Sequence, residues 1–346
     1  MEKFDIDPRD PNAFKPRWKE TKTQIQITIH RAIPGANGRP CEELLGYIRF
    51  NTKQGTLEIS NFNARLAMRH LTLGTTTKRG YSQFAGTHGE GFKLAALVMR
   101  RAGHAVRIRS SSFSWTFGFR GTNHDKFYCR LSPLMPDKLQ KEKKAFAKKI
   151  ESAPRSALTS YAWQDVTVKI SNSKENPGAK ITEQEFRSWA AVSLDLSGPP
   201  PERIIWTQHG DLILDKEYSG RVYLKGLWVA ENFGPDEPKY VFGYNFAQGH
   251  INRDRERLTS PMQEAAILAK IWEEPILGGR EDVLRHYIDL FHQHEDSPDI
   301  AFAQKVVSEA AARAIWDAMR RWSPAAFFHL EEDGADQVGR PRRLLG

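Results

Sequence analysis

The sequence predicts an α+β fold, and three observations carry that expectation. Several segments alternate apolar and polar residues with the two-residue period of a half-buried strand, "QIQITIHRAI" (24–33) and "WQDVTVKIS" (163–171) being the clearest. A glycine-rich stretch, "GTHGEGFK" (86–93), runs directly into a segment of helical character at 92–103. From Ser260 to Trp322 the apolar spacing turns helical.

Composition bounds the alternatives. The 346 residues are 40% hydrophobic and 27% charged, which is enough for a packed core and argues against global disorder. No apolar run approaches the roughly 18 residues a membrane span needs, and the N-terminus lacks the apolar stretch of a secretory signal. Cys41 and Cys129 make no disulfide framework and no CxxC pair. These features read as an intracellular, reducing compartment, cytoplasmic or nuclear, with no membrane partner. The net charge of +9 suits nucleic acid or another anionic partner without identifying one.

The elements are expected in the following order. Residues 1–22 carry Pro8, Pro11 and Pro16 and should be irregular. Strand 24–33 follows, then the turn-rich "GANGRPCEE" (35–43). "LLGYIRFNT" (44–52) and "GTLEISNF" (55–62) read as a hairpin, and "ARLAMRHLTL" (64–73) as a short helix. Residues 74–91 form a glycine-bounded loop long enough to act as a lid. In helix 92–103, Leu94, Ala95, Leu97 and Val98 mark the expected buried face, with Gly103 as its C′ cap. "HAVRIRSS" and "FSWTFGFR" (104–120) read as paired strands. "PDKLQKEKKAFAKKI" (136–150) carries six lysines, with Leu139, Phe146 and Ile150 at helical spacing, and reads as an amphipathic helix with a solvated basic face. Thr182 and Glu185 make a capping box for helix 181–194. "LSGPPPERI" (196–204) is a stiff joint. Beyond it "DLILD", "GRVYLKGLWVA" and "KYVFGYNFA" read as strands, and Ser260 with Pro261 opens the helical region.

A glycine-rich loop before a helix offers backbone N–H groups and the positive end of the helix dipole to an anion. Gly86, Gly89 and Gly91 supply that freedom, but the pattern is neither a Walker A loop, since no Ser or Thr follows Lys93, nor a dinucleotide fingerprint. The competing structural reading is a tight turn with close helix packing.

The neighbours of this loop change its weight. "LEISNFNARL" (57–66), "TTTKR" (75–79) and "AGTHGEGFKLAAL" (85–97) stand in one order and spacing. Together they resemble the boxes of the GHKL superfamily: gyrase-type, heat-shock-chaperone-type, histidine-kinase-type, mismatch-repair and MORC-type ATPases. The resemblance covers residues 22–171 directly and, more weakly, the strand-rich segment that follows. It implies a Bergerat-type α/β sandwich in which helices cover a mixed sheet, followed by a β-rich segment and a helical C-terminal region. The implied layout is an irregular 1–22, an ATP-binding domain over 23–196, a β-rich continuation over 197–259, helices over 260–330 and a flexible tail over 331–346.

Carried over residue by residue, the resemblance implies ATP as ligand. Gly86, Gly89 and Gly91 wrap its phosphates, Thr77 and Lys78 sit in the lid, and Lys78 or Lys93 adds charge. The adenine-binding aspartate of the family falls on Asn61, which keeps a carbonyl acceptor and loses the charge. The two glycines after that aspartate fall on Asn63 and Arg65; Asn tolerates a left-handed backbone and Arg does so poorly. Before "QIQITIH" the family has a helix whose Glu activates water and whose Asn holds Mg²⁺. Here that stretch is proline-broken, holds no E-x-x-x-N, and Met1 falls near where such a helix would end. Hydrolysis is therefore expected to be weak or absent, the chain acting as a nucleotide-binding pseudo-ATPase with a protein client, and no Mg²⁺ ligand is identified. The alternative is a non-enzymatic interaction or nucleic-acid-associated module on a degenerate ATPase fold.

Other residues are weighed against plainer roles. Arg253 and Arg255 are candidate phosphate contacts, against surface ion pairs in "NRDRERL". His88 reads as loop packing. His286, His292 and His294 lack carboxylates at ligand spacing. Alternation puts Val166, not Thr167, on the adenine side. The tryptophans, Trp206, Trp228 and Trp316 among them, read as core.

Overall fold

The computed structural model describes residues 15–34, 40–72, 89–123, 125–150, 155, 157–173, 175–229, 239–249, 261–322, 328–330 and 341–343. Two compact units divide at Gly198/Pro199, inside the proline-rich joint. Both mix helices with sheets.

The first unit is built on one sheet. Its strands are β1 (Lys15–Thr21), β2 (Gln24–Pro34), β3 (Pro40–Asn51), β4 (Thr56–Asn61), β5 (His104–Ser110), β6 (Phe113–Arg120), β7 (Lys126–Pro133) and β8 (Val166–Asn172), in the order β1-β2-β3-β4-β8-β5-β6-β7. The helices are α1 (Gly91–Arg101), α2 (Pro136–Ile150), α3 (Glu183–Ala190) and the short α4 (Leu194–Ser197). Every strand pair is antiparallel, so the expected mixed sheet is corrected. The reason is topological. β4 and β5 run in the same direction and are joined through α1, but β8 inserts between them and pairs antiparallel with both.

Alternation along these strands sorts the side chains. Ile25, Ile27, Phe50, Leu57 and Ile170 point to one face, where Phe186 of α3 stacks on Phe50 at 4.7 Å between centroids. Val106, Ile108, Trp115 and Phe117 continue that face beneath Ala96 of α1. Thr182 caps α3 as expected: its hydroxyl accepts from the Glu185 amide at 3.2 Å, and the Glu185 carboxylate accepts from the Thr182 amide at 2.8 Å.

Four further sequence expectations are corrected, the first three in this unit. Lys15–Thr21, inside the stretch read as irregular, is an edge strand; Pro16 is tolerated there because one side of an edge strand needs no ladder N–H. The segment 64–73 holds only a 3-10 turn at Met68–Leu71. Ser110 Oγ accepts from the Leu66 amide at 3.0 Å and Ser111 Oγ donates to the Leu66 carbonyl at 2.8 Å, which takes both backbone groups a helix would use. The face of α1 is rotated from the expected one: Leu94, Ala95 and Val98 are exposed, while Lys93 and Ala96 are buried. Phe92 and the Lys93 ammonium set that rotation, as described below. Trp115 and Trp272 are core residues, but Trp206, Trp228 and Trp316 are exposed.

In the second unit, β9 (Ile204–Trp206), β10 (Gly210–Ile213), β11 (Val222–Leu224), β12 (Leu227–Val229) and β13 (Gly243–Phe246) form a sheet ordered β12-β11-β13-β10-β9, in which β11 and β13 are parallel. Helices α5 (Pro261–Leu277), α6 (Glu281–Gln293), α7 (Ala303–Val306) and α8 (Glu309–Trp322) share one core with it, centred on Tyr244, Phe246, Trp272 and Tyr287. The segments expected as a β-rich continuation and a separate helical region are thus one folded body. Asp299 ties them together: it accepts from the Val241 amide at 2.8 Å and from the Tyr244 hydroxyl, which accepts from Trp272 Nε1 at 3.0 Å. Within the expected flexible tail, β15 (Pro341–Arg343) pairs antiparallel with β14 (Phe328–Leu330). Among the described residues no helix is long and apolar enough to cross a membrane.

Glu264 of α5 is buried, hydrogen-bonded to the Tyr240 hydroxyl, and burial pushes its carboxyl up to about 7. A raised carboxyl binds its proton more tightly folded than unfolded, so its stabilising state is complete below the unfolded value and is lost as pH rises through about 7. Between pH 5 and pH 8 this costs about 3 kcal/mol. Glu264→Gln should therefore raise the melting temperature by several degrees at pH 8 and change it little at pH 5, measured by thermal unfolding of the full chain. An equal shift at both pH values would mean that Glu264 is ionised in the folded protein.

Candidate functional site

The candidate site lies where β4 ends and α1 begins. Asn61 closes β4, is exposed, and stands opposite Val166 of β8. By alternation it shares the covered face with Leu57 and Ile59. Phe92, in the first turn of α1, packs in the cluster that holds Leu66, Leu71 and Val166. Met99, two turns on, reaches the clusters of Ile108 and of Leu57 and Ile170. The N-terminus of α1 is therefore its end nearest to Val166 and Asn61.

Gly89 has φ +66°, the left-handed region, and Gly91 is the first helical residue. A Cβ built on Gly91 would meet no heavy atom of the described residues within 4 Å. The Lys93 and Leu94 amides both donate to the Glu90 carbonyl at 3.0 Å, and the N–H groups before them belong to the turn whose donors a helix cannot pair internally. Glu90, buried, adds a carboxylate at the N-cap position.

Lys93 has backbone partners in the segment after β4. Its Nζ donates to the His70 carbonyl at 3.0 Å and the Thr72 carbonyl at 2.6 Å, and the residue is buried. Its charge holds the 68–72 segment onto α1. Gly86, Thr77, Lys78, His88, Arg253, Arg255 and Ser260 lie outside the described residues.

The turn after β4 answers the question raised by Asn63 and Arg65. Asn63 takes the left-handed conformation at φ +53°, and Arg65 keeps a negative φ. One left-handed residue suffices because Asp165, at the start of β8, fixes the turn. Its carboxylate accepts from the Asn63 amide at 2.9 Å and the Tyr161 amide at 2.6 Å, and pairs with Arg155 through contacts of 3.0 and 2.8 Å. The Arg155 guanidinium lies over Phe62 at 3.3 Å from the ring centre. Asp165 is fully buried and the Arg155 side chain nearly so. Sequence reasoning passed over this pair; the only trace was an Asp directly before a strand in "WQDVTV", with a lone Arg ten residues upstream. Thr167 faces the opposite side, its hydroxyl against Ser60 Oγ at 3.3 Å, as the alternation implied.

Among the described residues no group of three or more His, Cys, Asp or Glu stands close enough to hold a metal ion. The described part of the site comprises the α1 terminus with Gly91 and the exposed Asn61 at the end of β4. The chain matches no protein-family model, and no curated protein matches it either.

Removing one member of a buried ion pair leaves the other charge uncompensated. Asp165→Ala should cost about 3–5 kcal/mol, read as a lower urea midpoint of the first unit's transition. Adding Arg155→Met should recover part of the loss. A cost below about 1 kcal/mol would place the pair in a solvated, screened setting.

Proposed function

We propose that the first unit is a GHKL-like nucleotide-binding domain. ATP phosphates rest on the N-terminus of α1 and the glycine loop that leads into it, while the adenine edge lies against Asn61. The observation that carries this reading is the α1 terminus, where Gly89 is left-handed and a side chain on Gly91 would meet none of the described residues. An anion there gains first-turn amides and the helix dipole together. Two features argue for recognition without efficient turnover. Asn61 offers an uncharged acceptor where the resembling family uses a carboxylate, so the adenine contact is weaker. Lys15–Thr21, directly before β2, is a strand and not a helix bearing a general base. ATP bound here supplies charge to be balanced; the chain's own residues bind and orient it, and no described side chain is placed to activate water.

Lys93 serves this site indirectly. By clamping the His70 and Thr72 carbonyls it fixes the segment that carries the chain from Asn61 toward the 74–91 lid. Nucleotide occupancy is the signal a protein client reads.

Millimolar ATP should raise the melting temperature of the first unit by a few degrees, as mass action requires of any ligand of the native state. Gly91→Glu tests the site selectively. The side chain would meet none of the described residues, and a carboxylate at the first helical turn favours the helix, so the fold should be retained. The same charge repels phosphates, and the ATP-dependent shift should vanish. Phosphate release should stay at the no-protein rate. The absence of any shift with the unsubstituted chain would remove ATP as its ligand and leave a non-enzymatic scaffold.

A further inference from the structure

The second face of the eight-stranded sheet carries an uninterrupted row of aligned positions. The register runs Lys19–Gln26–Arg49–Glu58–Lys169–Arg107–Thr116–Arg130, one residue from each strand in spatial order. Five of these eight are cations and one is a carboxylate. The next row toward the β4 terminus runs Arg17–Thr28–Tyr47–Ser60–Thr167–Arg109–Ser114–Ser132 and adds two more cations and no acid, but its centre, Tyr47, Ser60 and Thr167, is buried and belongs to no open surface.

These cations face solvent. Lys19, Lys169, Arg107 and Arg130 are all exposed, whereas their sequence neighbours Val106, Ile108 and Ile170 are buried on the other side. Arg49 is paired with Glu58, and Arg17 with Glu42. Lys19, Lys169, Arg107, Arg109 and Arg130 have no ion-pair partner among the described residues. A solvated sheet face needs polar residues of either sign, so charges of nearly one sign in register are more than solubility requires.

The basic surface continues onto α2. Phe146 of α2 packs on Tyr161 at 4.6 Å, Arg155 bridges from Phe146 to Phe62, and Phe62 packs edge-on against Tyr47 at 5.8 Å. Tyr47 belongs to the second row. The helix thus borders the same face, with Lys138, Lys141, Lys143, Lys144 and Lys148 exposed.

We propose that this face and α2 form a docking surface for the sugar–phosphate backbone of duplex DNA. Charge complementarity selects a polyanion. Eight strands at about 4.8 Å spacing make the row roughly 34 Å long, close to one turn of B-form DNA at about 34 Å. The surface offers Arg and Lys, with Thr116 and Ser132 exposed among them, side chains that contact phosphates and carry no base code. Single-strand binders interleave stacking aromatics with their cations. Here Phe113, Trp115 and Phe117 point to the covered face, and on the open face Tyr128 is half-buried beneath Arg120. Binding should therefore be sequence-independent and favour the duplex. The surface lies on the face opposite Asn61, so it is independent of the nucleotide reading.

The test uses the full chain without ATP and a fluorescein-labelled random duplex of about 30 base pairs, followed by anisotropy between 50 and 200 mM salt. Affinity should fall steeply with salt. Arg107→Glu with Lys169→Glu should weaken binding about tenfold or more at fixed salt and reduce the log–log salt slope by about 2. Should that pair disturb the fold, Lys19→Gln with Arg130→Gln, at the two ends of the row, should give a smaller loss of the same kind. Unchanged affinity in folded sheet-face variants overturns the proposal, even if Lys141→Glu with Lys144→Glu abolishes binding. A single strand of the same length binding as tightly overturns the duplex preference. Polyglutamate competing on equal terms at matched charge makes the surface one for acidic protein and overturns the assignment to DNA.

Discussion

One face of the first unit's sheet is covered along its length by α3 and α1, and most of the molecule's character follows from that. Strand side chains alternate, so burying Ile25, Ile27, Phe50 and Leu57 under α3 and α1 obliges the residues between them to face outward. Apart from a buried patch around Tyr47 and Phe62, the sequence fills these positions largely with Arg, Lys, Ser and Thr, held in register by seven antiparallel pairings. The covered face ends where β4 ends. There the packed core gives way to the N-terminus of α1, so the two candidate binding surfaces are the two sides of one sheet.

Two charged groups make that margin rigid. Lys93 spends its ammonium on carbonyls of the 68–72 segment, and Asp165 with Arg155 locks the turn after Asn61. Both are costly charges to bury, and both are matched by several hydrogen bonds, the condition under which such burial is tolerated. Their shared effect is to hold the turn after Asn61 and the first turn of α1 in place. A binding site assembled this way depends on backbone donors and on a placed helix end, and needs few side chains of its own.

Much of the strand pattern was legible. The alternation at 24–33 and 163–171, the capping box of Thr182 and Glu185, and the lysine helix at 136–150 each rest on local chemistry, and the structure places elements there. Failures occurred where tertiary partners decide. Pro16 suggested a broken chain because nothing local marks an edge strand. The helix expected at 64–73 lost its backbone groups to Ser110 and Ser111, some 45 residues away. Hydrophobicity alone put Leu94 and Val98 inward, yet Phe92 and the carbonyl contacts of Lys93 turned α1 the other way. Of the site, the glycines and Asn61 could be named from their order in the chain. The Arg155–Asp165 pair could not, since its members approach only after β4 and β8 have paired. The basic face was equally hidden: its cations come from five separate strands and align only through register.

Amide hydrogen exchange offers the most direct test that α1 presents its N-terminus to nucleotide. Exchange would be followed at Gly91, Phe92 and the 68–72 segment, with and without saturating ATP. Slower exchange there, with β9–β13 unchanged, is the expected result. Identical exchange in both states, at millimolar ATP, would contradict it.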